Sequence, residues 1–366
     1  MKNGVAVLLV LIVALVPVVA GQSGRVRNKN KTAEGEQDPN TIRLRVEEVL
    51  LPVSVRSDTG RLPGHLDPSD FLISEDGERR EVTAVLRTPP SLLLILDTSG
   101  EETTVKHTNI NREIAFRLID ALGERDQAAI ITYADKVSLI SDWTGDKQQL
   151  RHALNWEFKP GLKSHLYESL KFAAEEVLPR TNGRRVVVLV TDGVENDRSS
   201  LFNDALAAMH RARATVYVLS HAAYILSEIK PRAYNPLSWF EKLDPQARKR
   251  IARLRNYARL LEAGDTMMIK LAEETGGAVW NPQIRIECKE DEKLFSHNGS
   301  SSEGSNGPLD CEEVTDRMVE EIGTQYIVAY LSERRAGDKE FHPVKVFVTR
   351  RDLKARTRRG VYSNLP

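Results

Sequence analysis

Two short segments of this chain are apolar at every position and stop abruptly on an acid. Leu92–Leu96 (LLLIL) runs into Asp97, and Val186–Val190 (VVVLV) runs into Thr191-Asp192-Gly193. A strand with one wet face alternates apolar and polar residues, so a strand with no polar position has both faces covered. Around these segments the pattern is helical over Ile110–Leu122, Leu166–Leu178, Phe202–Arg211, Gln246–Gly264, Thr266–Thr275 and Cys311–Ile322. Further strand-like runs lie at Ala128–Tyr133, Val137–Ile140, Thr215–Leu219 and Ala278–Trp280. Apolar strands alternating with helices predict an α/β core: a doubly wound, mostly parallel sheet with helices on both faces.

The two ends follow a different rule. Ile42, Leu44 and Val46 alternate with Arg43 and Arg45, and Val53 and Val55 continue extended chain. Phe71–Glu75 meets a hairpin signal at Asp76-Gly77, and Val82, Ala84 and Leu86 follow. Alternation returns at Tyr326, Val328 and Tyr330, and at Val344, Val346 and Val348. This predicts a smaller β-sandwich-like module built from residues 41–88 and 325–363. The α/β domain, 91–324, is inserted between its halves, with insertions near 222–250 and 283–311.

Lys2 precedes an apolar run from Val5 to Ala20 that ends in small residues. Residues 1–20 therefore read as a secretory signal peptide, and the protein as exported, periplasmic or secreted. An uncleaved segment would instead hold the chain at a membrane. No cysteine follows the run to carry a lipid, and residues 21–40 are polar enough to form a disordered lead-in. In an oxidising compartment Cys288 and Cys311 read as a disulfide closing a Ser/Gly-rich loop; the alternative is two free thiols. The formal net charge is zero, which excludes a general drive toward nucleic acid or anionic membrane. The basic run at 350–359 reads as solvated strand edges.

In an open parallel sheet, ligands bind beyond the carboxyl ends of the strands, near a switch in strand order. Asp97-Thr-Ser99-Gly-Glu101 and Thr191-Asp192-Gly193 occupy such ends. In these frames the chain resembles von Willebrand factor type A domains. That family has a doubly wound sheet and a metal-ion-dependent adhesion site, with Asp-x-Ser-x-Ser in a first loop, Thr in a second and Asp in a third. Gly161–Leu170 (GLKSHLYESL) stands where such proteins carry Gly-Gly-Thr-Ala-Leu-Tyr, so Ser164 matches the Thr. Asp70–Gly77 (DFLISEDG) and 353–362 (LKARTRRGVY) are similar to a subgroup of exported proteins with such domains, described mainly from acidobacteria.

The resemblance implies a site of Asp97, Ser99, Glu101, Ser164 and Asp192 holding magnesium or another divalent cation. It also implies a partner protein whose acidic side chain completes the metal shell. Magnesium takes a near-octahedral shell of oxygen ligands and keeps several waters, which suits two carboxylates and hydroxyls. The departure is Glu101, where the family has its second Ser. Three readings stay open: Glu101 ligates the metal, it swings out and water replaces it, or it pairs with Lys163 and the site holds no metal.

Other chemistry finds little support. No Walker loop, GxGxxG, HExxH or GxSxG motif is present, and the histidines are scattered. Asp97 as a nucleophile is disfavoured, because the DTSG stretch lacks the second nearby acid that acid–base work needs. The aromatic segment 222–250 reads as packed insertion or binding surface. The sequence thus predicts an exported, non-enzymatic protein-binding module. A structural envelope scaffold with a degenerate site is the alternative, and a hydrolase the minor one.

Overall fold

The structure, a computed structural model, describes residues 44–100, 105–196, 200–234, 244–281, 311–335 and 339–362. Glu101, Cys288, the signal segment, the lead-in, Trp239 and Phe240 lie outside these residues. Among the described residues no helix is long and apolar enough to cross a membrane.

The chain first lays down β1 (Leu44–Ser57), β2 (Phe71–Glu75), β3 (Glu78–Arg80) and β4 (Val82–Leu86). It then enters the core with β5 (Pro90–Asp97), α1 (Val105–Asp120), β6 (Gln127–Tyr133), β7 (Val137–Thr144), α2 (Lys147–Trp156) and α3 (Leu166–Phe172). β8 (Arg184–Thr191), α4 (Phe202–Arg211), β9 (Thr215–Ser220), α5 (Ala222–Tyr234), α6 (Pro245–Thr275), β10 (Val279–Trp280) and α7 (Cys311–Thr324) complete it. β11 (Tyr326–Arg335), β12 (Phe341–Val348), β13 (Leu353–Arg356) and β14 (Gly360–Tyr362) return to the first region.

The core sheet runs β10-β9-β8-β5-β6-β7, parallel except for the edge pair β6–β7. Both faces of β5 and β8 are buried, as their all-apolar sequences require. Ile114, Leu118, Leu150, Val314 and Met318 of α1, α2 and α7 cover one face. Leu170, Ala205, Met209, Met268 and Leu271 of α3, α4 and α6 cover the other. α6 is one uninterrupted helix where the sequence had suggested two, broken after Gly264. α3 loosens into a π turn over 173–177 and a 3-10 turn at 178–180, where Pro179 removes a ladder donor.

Two antiparallel sheets flank the core, β13-β1-β11-β4 and β14-β12-β2-β3. Strands from both chain ends pair within each sheet: Leu51 stands opposite Val328, and Ile73 opposite Val346. Val49, Leu51, Val53, Phe71, Ile73, Tyr330 and Val344 form one shared core between them. Buried Arg184, at the amino end of β8, fastens both crossings between these sheets and the core. It donates to Thr88 O (3.3 Å), Gln325 Oε1 (2.5 Å) and Ile322 O (2.6 Å). The basic run at 350–359 is not simply a solvated edge. Arg358 is 2% exposed and donates to Arg213 O at 2.6 Å, and Arg356 pairs with buried Glu321. These groups lock the strands to the core rather than repel neighbours.

Candidate metal-site loops at the sheet edge

β5 and β8 are adjacent and parallel, with Leu96 opposite Val190. β5 continues to β6 on one side, while β8 and β9 lie on the other. The carboxyl ends of β5 and β8 therefore flank the switch in strand order, where a ligand cleft forms. Three loops gather there. Ser99 bridges to Gly161, with Gly100 N donating to Gly161 O and Gly161 N to Thr98 O, both at 3.0 Å. Ser164 Oγ donates to Val194 O at 2.7 Å, and Asn196 N donates to Ser164 O at 3.2 Å. The first loop is thus tied to the second, and the second to the third.

Asp97 is held from every side. Its Oδ1 accepts from Ser99 N (2.8 Å) and Ser99 Oγ (2.6 Å). Its Oδ2 accepts from Tyr133 Oη (2.9 Å) and Thr191 Oγ1 (3.1 Å). Its carbonyl accepts from Asn111 Nδ2 at 2.7 Å, and His221 Nε2 donates to Asn111 Oδ1 at 2.7 Å. Asp192 Oδ1 accepts from Val194 N, and its Oδ2 accepts from Tyr257 Oη, both at 2.9 Å.

Burial, then the nearby Asp192 carboxylate, pushes Asp97 up from the ordinary carboxylate range to about 7. Burial also raises Asp192. Tyr133 is driven well above the usual phenol range by burial and by Asp97, so it remains a proton donor. Neither carboxylate makes an ion pair among the described residues, and Lys163 is exposed without a paired carboxylate there. Lys163 does use its backbone, donating N–H to Asp135 Oδ1 at 2.9 Å.

A buried carboxylate whose affinity for protons is raised by burial and by a second, half-buried carboxylate beside it calls for a cation. Among the described residues no group of three or more His, Cys, Asp and Glu side chains is arranged to hold one. The donor set is instead two carboxylates with the hydroxyls of Ser99 and Ser164. These are all hard oxygens and fit magnesium or a similar ion rather than zinc or copper.

Tyr133, Thr191, Asn111 and Tyr257 were not visible as site residues in the sequence. Tyr133 ends β6 and Thr191 precedes Asp192, so strand-end position was an available signal for both. Tyr257 had none, being 65 positions from Asp192. It arrives because α6 passes the third loop at close range. A Cβ on Gly264 would sit 2.2 Å from Gly193 O. Val194, Ile225 and Leu261 pack together beside that crossing, with Tyr257 against them. Tyr257→Phe is expected to cost about 1–2 kcal/mol in urea unfolding, because the half-buried Asp192 carboxylate loses a donor. A cost near zero would mean that Asp192 does not depend on the phenol.

Residues 92–195 match the family model described as the von Willebrand factor type A domain. No curated protein matches the chain. Among solved structures, the chain is similar to proximal thread matrix protein 1 from the mussel byssus at 15% identity, TM-score 0.34, over 37% of this chain and 38% of that one. It is similar to the conserved hypothetical protein BatB from Bacteroides thetaiotaomicron at 21% identity, TM-score 0.31, over 36% of this chain and 66% of that one. It is also similar to the vWF domain of the type V pili tip protein Mfa5 from Porphyromonas gingivalis at 17% identity, TM-score 0.26, over 30% of this chain and 40% of that one. The chain covers less than two thirds of the length of each of these proteins. The segment 92–195, which lies on the doubly wound sheet, is therefore similar to a von Willebrand factor type A domain.

Proposed function

We propose that this chain is an exported, non-enzymatic protein-binding module. It engages its partner at the sheet edge, through a modified metal-ion-dependent adhesion site. The observation that carries this is the close pair of buried Asp97 and half-buried Asp192, set where three loops meet, with hydroxyl oxygens beside them and no ion-pair partner among the described residues. Asp97, Ser99, Ser164 and Asp192 would hold a divalent cation directly or through water, with Glu101 adding a further carboxylate. A bound cation offers an open coordination position to a partner's carboxylate. The protein's own residues orient the set: Tyr133 and Thr191 fix one oxygen of Asp97, Ser99 fixes the other, and Tyr257 fixes Asp192.

One observation favours a second reading, a scaffold with a metal-free site. Each oxygen of Asp97 already has two protein donors, so its carboxyl is satisfied without an ion. Calorimetric titration of magnesium, calcium and manganese into residues 21–366 separates the two. Expected is binding by the parent that Asp97→Ala removes. Binding by Glu101→Ser alone, with none by the parent, supports the scaffold and assigns the loss to Glu101.

A further inference from the structure

The helix that reaches Asp192 carries charge that the fold does not use. Gly264 marks the level of the sheet edge, so residues 245–263 of α6 extend beyond it by about 28 Å of helix. α5 packs along this extension, and the two make a helical hairpin beside the site. Ala247, Ile251, Ala258 and Leu261 form its buried stripe. The remaining surface displays Arg248, Lys249, Arg250, Arg253, Arg255 and Arg259, all exposed. No acidic residue occurs between Asp244 and Glu262.

Like charges three or four positions apart, such as Lys249 with Arg253 and Arg255 with Arg259, repel and weaken a helix. Relief from within the chain is slight. Arg255 Nε donates to Ala233 O at 2.7 Å, and the hairpin's Lys230–Glu262 pair, at 3.0 Å, involves none of these six. Among the described residues Arg248, Lys249, Arg250, Arg253 and Arg259 have no ion-pair partner. The whole chain has a formal net charge of zero, so this concentration is local.

Its position has a direction. Arg253 and Arg250 precede Tyr257 by about one and two turns on the same stripe. They therefore continue, away from the sheet, the helix face whose phenol contacts Asp192. An acidic segment whose carboxylate reaches the Asp97–Asp192 edge runs along these guanidinium groups. They favour it with the planar, bidentate geometry that carboxylates accept. A membrane is a poorer fit, because a surface-lying helix inserts its apolar face, and that face of α6 is covered by α5.

We propose that the α5–α6 hairpin is the second half of the partner surface and binds an acidic segment of a partner protein. Arg250, Arg253 and Lys249 contact side chains that flank the carboxylate at the sheet edge. This rests on the proposed function for the site, and the test separates the two.

The probe is a fluorescein-labelled decaglutamate peptide, followed by anisotropy with the purified chain. It is titrated at low ionic strength and at about 0.15 M salt, with EDTA and with magnesium. Expected is binding in EDTA that weakens with salt. Lys249→Gln, Arg250→Gln and Arg253→Gln together should reduce it about fivefold or more. Equal binding by parent and triple variant overturns the inference. If magnesium then still adds affinity that Asp97→Ala removes, the site reading stands without the hairpin. Absence of metal binding with the triple-variant effect intact keeps the hairpin and removes the site reading. Failure of the parent to bind decaglutamate, or a stronger response to phosphatidylglycerol vesicles that the triple variant loses, also overturns it.

Discussion

Gly264→Ala is expected to destabilise the protein by about 2 kcal/mol, although the same change in most helices stabilises. Alanine is favoured over glycine in a helix interior by about 1 kcal/mol. Against that, the new Cβ would sit 2.2 Å from Gly193 O and 2.6 Å from Gly193 C. Both atoms are backbone, so no side chain can turn aside, and Gly193 is itself held at φ 78° with its N–H on Thr191 Oγ1. Overpacking of this kind costs about 1–3 kcal/mol or more, which exceeds the propensity gain. The control is Gly323→Ala in α7, where a Cβ meets nothing within 4 Å. That substitution should raise stability by about 0.5–1 kcal/mol. Thermal melts of the two variants should move in opposite directions. A Gly264→Ala chain as stable as the parent would mean that α6 does not press on the third loop. Lifting α6 also withdraws Tyr257 from Asp192, so the variant is expected to bind magnesium more weakly than the parent.

That glycine also explains one error in the sequence reading. A glycine followed by an acid, after a long helical pattern, looks like a helix end. The backbone at Gly264 stays helical, and the missing side chain serves a close approach to a residue far away in sequence. Periodicity reports what a segment buries, not what passes beside it. The all-apolar strands were legible for the complementary reason: both faces of Leu92–Leu96 and Val186–Val190 meet helices, so no position is left polar. α2 escaped because Leu150, Ala153 and Leu154 are its buried residues, barely more than one turn of signal. Its Asp146 cap, which accepts from Gln148 N and Gln149 N, was the usable clue.

Alternation in β1 misled in phase. The sequence puts Leu44 and Val46 on the apolar side, yet Val46 is 61% exposed and Val49, Leu51, Val53 and Val55 are buried. A long strand can cover different things along its length, and a period of two cannot say which stretch faces the core. The site divides the same way. Asp97, Ser99 and Asp192 drew notice as residues at or just after the ends of all-apolar strands, and Ser164 only through the family resemblance of Gly161–Leu170. Their supports, Tyr133, Asn111 and Tyr257, are supplied by other elements that only the folded chain brings near. The basic run at 350–359 looked like edge protection because a sequence does not reveal that Glu321 and the Arg213 carbonyl are waiting for it.

Asp97→Asn is expected to stabilise the metal-free protein at pH 8 by about 2–4 kcal/mol and to abolish its response to magnesium. The sign follows from proton linkage. Asp97 is raised in the folded state to about 7, chiefly by burial and then by Asp192. The folded protein therefore holds this proton more tightly than the unfolded chain. Its contribution is fully present below the ordinary carboxylate range and is lost as pH rises through about 7. In EDTA the parent should melt progressively lower from pH 5 to pH 8. Asparagine carries no charge to bury, so its profile over that interval should be flatter. Its geometry is also tolerable: the amide oxygen can accept from Ser99, and the Tyr133 and Thr191 hydroxyls can turn to accept from the amide nitrogen. Magnesium at pH 8 should restore the parent's melting temperature, because a cation between the carboxylates replaces the proton as the neutralising charge. It should leave Asp97→Asn unchanged. A parent whose melting temperature is the same at pH 5 and pH 8 in EDTA would mean that Asp97 does not bury its charge, and the electrostatic case for a cation at this edge would fall with it.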